Sequence, residues 1–224
     1  MSRITWGDPG TRKFSTGVDR GVLFVQGHEG VPWNGLVSVT ARSSGGAAVP
    51  YYIDGIKYLN LSEKEEFEGT IEALYSPPEF DECDGIAPIR PGVFAHHQVR
   101  KPFDFSYRST VGNDTEGVDH GYKLHLIYNA LASPSELNSQ TMGDSVEPDT
   151  LSWDISSTPV EVPGHQPTSF LTLDNTIHRG VVKVVEHILY GTDAAPARMP
   201  TPAEILDLQF SEYGASLYDS AIYF

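Results

Sequence analysis

Phe67-Glu68-Gly69-Thr70-Ile71-Glu72-Ala73-Leu74-Tyr75 repeats its chemistry every second residue. In an extended chain Phe67, Ile71, Ala73 and Tyr75 fall on one face, while Glu68, Thr70 and Glu72 fall on the other. One face is built for burial and the other is acidic. The same period returns in Phe103, Phe105 and Tyr107 against Asp104, Ser106 and Arg108. It recurs in Tyr122, Leu124, Leu126 and Tyr128 against Lys123 and His125, and in Leu151, Trp153 and Ile155 against Ser152 and Asp154. Val22 to Gln26, Leu36 to Thr40 and Phe170 to Leu173 are further short strand candidates. The pattern predicts a mainly β protein.

The spacing of turn formers agrees. The chain has 21 Gly and 16 Pro, which leave little room for long helices. Ser43-Ser44-Gly45-Gly46 predicts a turn that returns Leu36 to Thr40 into Tyr51 to Leu61 as a hairpin. Pro77 to Pro91, Gly112 to Gly121 and Ser133 to Pro148 read as loops, two of them longer than a hairpin needs. Helix signals are strong twice. His178 to Tyr190 carries the stripe Val181, Val182, Val185, Ile188, Leu189, with Thr176 or Asn175 to cap it and Gly191 to end it. Thr201-Pro202-Ala203-Glu204 combines an N-cap, a proline at the first helical position and a Glu at the third. The expected division is an extended N-terminal arm over 1–20, one β domain over 21–206 and a C-terminal arm over 207–224, aromatic but aperiodic.

Length and charge narrow the function. A chain of 224 residues supports one substantial core. A formal charge of −15 argues against wrapping DNA, which needs clustered Lys and Arg, but does not exclude DNA as something to be repelled. The start Met1-Ser2-Arg3-Ile4-Thr5-Trp6 has no apolar leader and no run of 18 apolar residues follows, so the chain is expected to stay in water and off membranes. Cys83 is the single cysteine; Glu82 and Asp84 beside it oppose thiolate formation, so it is expected to be inert.

Sites for chemistry are weak. His96 and His97 would point to opposite faces of a strand and cannot share a metal. Asn113-Asp114-Thr115-Glu116-Gly117 lacks the alternating acceptors and the terminal Glu of a calcium loop. Glu65-Glu66 and Asp81-Glu82 are pairs that thirty acids produce by chance. No nucleophile elbow, Walker loop, dinucleotide fingerprint or zinc-protease motif occurs. No enzyme, cofactor or metal is expected.

Several blocks together are more specific. Trp6-Gly7-Asp8-Pro9-Gly10-Thr11-Arg12, Gly17-Val18-Asp19-Arg20-Gly21-Val22-Leu23 and Val31-Pro32-Trp33-Asn34-Gly35-Leu36 open the series. Tyr51 to Tyr58, Gly112-Asn113-Asp114, Asp119 to Lys123, Tyr128 to Pro134 and Ile188 to Thr192 continue it. In this order they resemble the major tail (tail tube) proteins of long-tailed, non-contractile bacteriophages of actinobacteria, over about residues 4–206. The resemblance implies an antiparallel β-sandwich or incomplete barrel with one flanking α-helix and extended arms. It further implies hexameric rings stacked into a tube that conducts DNA without binding it specifically. The implied partners are further copies of the chain, a tape-measure protein, and the tail terminator and distal tail proteins. The implied location is the virion tail, reached from the host cytoplasm during assembly.

Candidate residues follow from the two faces and the two arms. Asp54, Glu68 and Glu72 are candidates to line the tube's channel, on an inner sheet made of Leu36 to Leu61, Phe67 to Tyr75 and Phe103 to Arg108. Trp6, Arg12, Phe14 and Arg20 in the first arm, and Tyr218 and Phe224 in the second, are candidates to bridge subunits. The rival reading is a baseplate or receptor module that stacks a carbohydrate on Trp33, Trp153 or Tyr75, though alternation predicts that these aromatics are core.

Overall fold

The computed structural model describes residues 6–62, 64–134, 141 and 148–208. Its framework is the strand predicted from Phe67 onward. This strand, β6 (Glu65–Ala73), buries Ile71 and Ala73 and turns Glu66, Glu68, Thr70 and Glu72 outward. Position 69 shares the buried face and is a glycine there, where a Cβ would stand 2.7 Å from the Thr40 carbonyl oxygen and 3.2 Å from the Ile155 side chain. Antiparallel partners flank it: β3 (Leu36–Gly45) on one edge and β11 (Leu151–Ser157) on the other. The sheet continues through β10 (Gly117–Ala132), β9 (Phe103–Asn113), β1 (Lys13–Val25) and β2 (Val31–Trp33), and β12 (Phe170–Asp174) adds to β10. Two small hairpins stand apart: β4 (Ala48–Ile53) with β5 (Ile56–Ser62), and β7 (Ala87–Arg90) with β8 (Val93–Ala95).

The long sheet curls on itself, so β11, β6 and β3 face β1, β9 and β10 across an apolar interior. Trp33 sits at its centre, with ring centroids 4.7 Å from Phe80, 5.5 Å from Phe105 and 5.6 Å from Trp153. Leu23, Ile71, Phe103, Ile127 and Ile155 fill the rest. Cys83 is buried in this core, and its thiol is pushed up to about 12, first by burial and then by Glu82. The inert thiol follows from both.

A second core lies outside the sheet. Val182, Val185 and Leu189 of α1 (Arg179–Tyr190) pack on Val22 and Phe24 of β1 and on Leu124, Leu126 and Tyr128 of β10. The short helix α2 (Pro202–Asp207) closes this core with Ile205. Its capping box is complete: Thr201 Oγ1 accepts from the Glu204 amide, and the Glu204 carboxylate accepts from the Thr201 amide. The architecture is mainly β and antiparallel, with one helix flanking the sheet. Among the described residues three layers result: helix, one half of the curled sheet, and the other half, whose far face carries no described helix.

Several expectations change. Lys13 to Arg20 is not an aperiodic arm but the first half of β1, paired along β9 from Lys13↔Asn113 to Asp19↔Arg108. The hairpin expected from Leu36 to Leu61 does not form; β3 pairs with β6 up to Gly45↔Glu65, and 48–62 makes a hairpin of its own. Gly45 and Gly46, at φ 82° and 71°, mark the exit from β3 rather than its turn into β4. Gly112 to Gly121 is mostly strand, because Asn113 Oδ1 accepts from the amides of Thr115 and Glu116 and closes a tight turn. Pro77 to Pro91 contains a turn of 3-10 helix (Pro78–Phe80) and β7. The helix starts at Arg179, with His178 at the N-cap and no side-chain cap; Asn175 instead accepts from the Tyr122 amide. Ser133 to Pro148 lies largely outside the described residues.

Candidate assembly surfaces

The exterior offers three surfaces, each set by strand register. On β3, β6 and β11 the side chains that point away from the core come into rows: Ser38 beside Glu72, Thr40 beside Thr70 and Arg42 beside Glu68 on one edge, and Ser152, Asp154 and Ser156 on the other. The rows are knitted together. Ser38 Oγ donates to Glu72 at 2.7 Å, Thr70 Oγ1 donates to Asp154 at 2.7 Å, and Arg42 pairs with Glu68 at 3.2 Å. With Glu66, the face carries four carboxylates against the one guanidinium of Arg42. It is polar, negative and free of large apolar groups along these rows. The sequence candidates Glu68 and Glu72 meet here, whereas Asp54 does not. Phe103 to Arg108 is also absent from this half; as β9 it lies across the core, between β1 and β10.

The second surface is the β4–β5 hairpin. At about 3.3 Å per residue, its six-residue strand β4 makes a ribbon ~20 Å long, paired with nothing but β5 among the described residues. The register Val49↔Leu61, Tyr51↔Leu59 and Ile53↔Ile56 aligns six apolar side chains on one face, and a bulge at Tyr58 twists the ribbon. All six are exposed, from Leu59 at 37% to Ile56 at 73%. Asp54 stands at the tip with φ 51°, followed by Gly55 at 75°, the two left-handed residues of a tight hairpin turn. A ribbon of this kind, apolar on one side and covered by nothing described in its own chain, is marginal alone in water. The smaller β7–β8 hairpin repeats the theme with exposed Ile89, Val93 and Phe94.

The third surface follows β1. Trp6 is 85% exposed, Arg12 is exposed, and Phe14 lays its ring over Gly112, where a Cβ would come within 2.3 Å. Arg20 is exposed at a bulge of β1. Tyr218 and Phe224 lie outside the described residues. Of the aromatics considered for sugar stacking, Trp33 and Trp153 are core, and Trp33 Nε1 donates to the Tyr75 carbonyl at 2.8 Å. Tyr75 itself, expected on the buried face, follows the end of β6 and is 58% exposed.

Polar groups that alternation alone assigns to solvent are drawn inside. Arg108 holds Asp19 with two bonds of 2.9 and 2.7 Å and reaches Glu186 at 3.5 Å. Its guanidinium lies 4.4 Å from the Tyr122 ring centroid, and Tyr122 donates to Glu186 at 2.8 Å. Glu186, off the apolar stripe of α1, is therefore only 12% exposed and locks α1 to β1, β9 and β10. The Arg108 bonds hold the Asp19 carboxyl below its usual range.

His125, expected on a polar face, stacks between Tyr107 at 4.6 Å and Phe170 at 5.5 Å. Ser109 and Thr172 hydrogen-bond its two ring nitrogens. Burial pushes it down to about 4, with Lys123 adding to the effect. Because the folded state resists a proton that the unfolded chain accepts near pH 6.5, stability falls as pH drops from 6.5 towards 4. The loss should be on the order of 1–2 kcal/mol. His125→Phe should flatten this limb in melting curves recorded between pH 7 and 4.5. An unchanged slope would assign it to other groups.

Among the described residues no cluster of three or more metal-binding side chains occurs, and no helix is long and apolar enough to cross a membrane. No protein-family model matches the chain, and no curated protein matches it. Solved structures do resemble it. One is the sheath–tube complex of an extracellular contractile injection system (PVC) in its extended state, at 15% identity and a TM-score of 0.40, covering 69% of this chain and 88% of that one. A second is the tube-terminating cap of the anti-feeding prophage, at 10% identity and a TM-score of 0.38, covering 78% and 96%. A third is Hcp1 from Flavobacterium johnsoniae, at 12% identity and a TM-score of 0.32, covering 70% and 100%.

Proposed function

We propose that this protein is a structural subunit of a tail tube, as the resemblance to tail tube proteins of non-contractile phages implies, and not an enzyme. Copies close into hexameric rings, and the rings stack around a channel that conducts DNA. The observation that carries this reading is the β4–β5 hairpin, with its six exposed apolar side chains aligned on one face. Burying that face on a second copy removes it from water at about 25 cal/mol per Å² of apolar area, and a ring multiplies each contact.

The layers supply the rest. The acidic face of β3, β6 and β11 is the natural channel wall, with Glu68 and Glu72 towards the axis, because a negative wall repels phosphate and keeps DNA from sticking. The helix-covered layer then faces outward. Trp6, Arg12, Phe14, Tyr218 and Phe224 join neighbouring subunits through the chain ends. The tape-measure protein occupies the channel before DNA, and the terminator and distal tail proteins close the two ends.

Negative-stain microscopy of the purified protein tests this. Rings or tubes with a central channel are the expected result, and Glu68 and Glu72 should lie nearer the axis than the average acid. Monomers at every concentration, or a bore lined by Lys and Arg, would overturn it.

A further inference from the structure

The bulge of β1 holds an arginine where the backbone favours glycine. The β1–β9 register slips between Asp19 and Val22, and Arg20 takes φ 48°. Asp19 is already engaged by Arg108. Arg20 is left beside Tyr190, 5.9 Å from the ring centroid, and among the described residues no carboxylate is hydrogen-bonded to it. Both side chains line one cleft of about 500 Å³, whose apolar walls include Val18, Pro32 and Leu36. Asp19 also lines the cleft but is neutralised by Arg108, so the exposed Arg20 guanidinium and the apolar rim suit a carboxylate carried between apolar side chains.

The chain presents such a group on its projecting hairpin. Asp54 is exposed at the tip, between Ile53 at 54% exposure and Ile56 at 73%. Cleft and tip cannot meet within one copy. Leu36 of the cleft begins β3, and the hairpin departs beyond Gly45 at its other end, nine residues or ~30 Å away. The six-residue strand β4 spans only ~20 Å, too short to bring the tip back over that distance whichever way the ribbon runs. A contact between the two is therefore head-to-tail between copies, which is the geometry that propagates a stack.

We infer that the hairpin tip of one copy seats in the Arg20–Tyr190 cleft of another. The Asp54 carboxylate accepts from the Arg20 guanidinium, while Ile53 and Ile56 cover the apolar walls and the Tyr190 ring. This rests on the self-assembly reading and specifies which surfaces meet.

Two substitutions remove the charges and respect the backbone. Arg20→Gly suits the left-handed φ, and Asp54→Asn leaves an Asn-Gly turn. Each should raise the concentration needed for assembly about tenfold or more, read by sedimentation and negative stain, while the monomer's melting temperature stays at the wild-type value. Arg20→Asp and Asp54→Arg should each prevent stacking, and the double variant should recover it. If wild type assembles but the neutral variants assemble at the same concentration, or the double reversal does not recover, the pairing is wrong. A fall in melting temperature with unchanged assembly would make Arg20 an internal support only. A wild type that never assembles overturns the self-assembly reading, and this inference with it.

Discussion

Val185→Asp is expected to leave no soluble folded protein. Val185 is fully buried between the turns of α1 that carry Val182 and Leu189, against Leu124 and Leu126 of β10. A carboxylate there would lose its hydration and meet only apolar groups, at a cost of several kcal/mol. Domains of this kind are stable by about 5–15 kcal/mol, so the loss takes most of the margin. Val185→Ala leaves only a cavity and should cost about 2 kcal/mol, lowering the melting temperature without loss of soluble yield. Circular dichroism and thermal melts distinguish the two. A Val185→Asp protein that melts at the wild-type temperature would mean that α1 is not docked on β10.

The helix and most strands were legible because their side chains repeat with the period of the element. β6, β11 and the apolar stripe of α1 need no knowledge of their neighbours. What failed depended on partners distant in sequence. Lys13 to Arg20 has little apolar alternation of its own and is a strand because β9 lies alongside. Ser43-Ser44-Gly45-Gly46 looks like a hairpin turn, yet β3 finds its partner beyond an inserted ribbon of its own register. The clearer turn signal was Asp54-Gly55, the favoured pair for a two-residue hairpin.

The candidate surfaces were legible in the same uneven way. Glu68 and Glu72 share a face because alternation within one strand puts them there, whereas Asp54 was grouped with them through a hairpin that does not form. His125 lies opposite the apolar face of its strand and Glu186 off the apolar stripe of its helix, so periodicity alone leaves both in solvent. β10 is covered on both sides, so the side opposite Leu124 and Leu126 is also interior, and His125 enters an aromatic stack. Glu186 was drawn in by Arg108 and Tyr122, residues 78 and 64 positions away. Single-strand periodicity carries no information about such pairings.

Removing the β4–β5 hairpin is expected to separate folding from assembly. β3 and β6 remain paired as far as Gly45↔Glu65, so replacing residues 46–64 by Asn-Gly would join two strands already aligned, through a turn that matches their twist. Neither core cluster includes a residue of 48–62, so no buried contact of the body is lost. The shortened protein should therefore melt within a few degrees of the full chain. It should also be more soluble as a monomer, since Tyr51, Ile53, Ile56 and Leu61, each more than half exposed, are gone. With Val49 and Leu59, the six side chains of this face expose on the order of 500 Å² of apolar surface, a large share of the ~800 Å² per partner in a standard interface. Losing that area should abolish rings and tubes at concentrations where the full chain forms them, as sedimentation and negative stain would record. Tubes of normal length from the shortened protein would show that the hairpin is dispensable, and the β7–β8 hairpin or the chain ends would then have to hold the rings together. A shortened protein that fails to fold would place the hairpin in the body's own stability, against the register that leaves β3 and β6 complete without it.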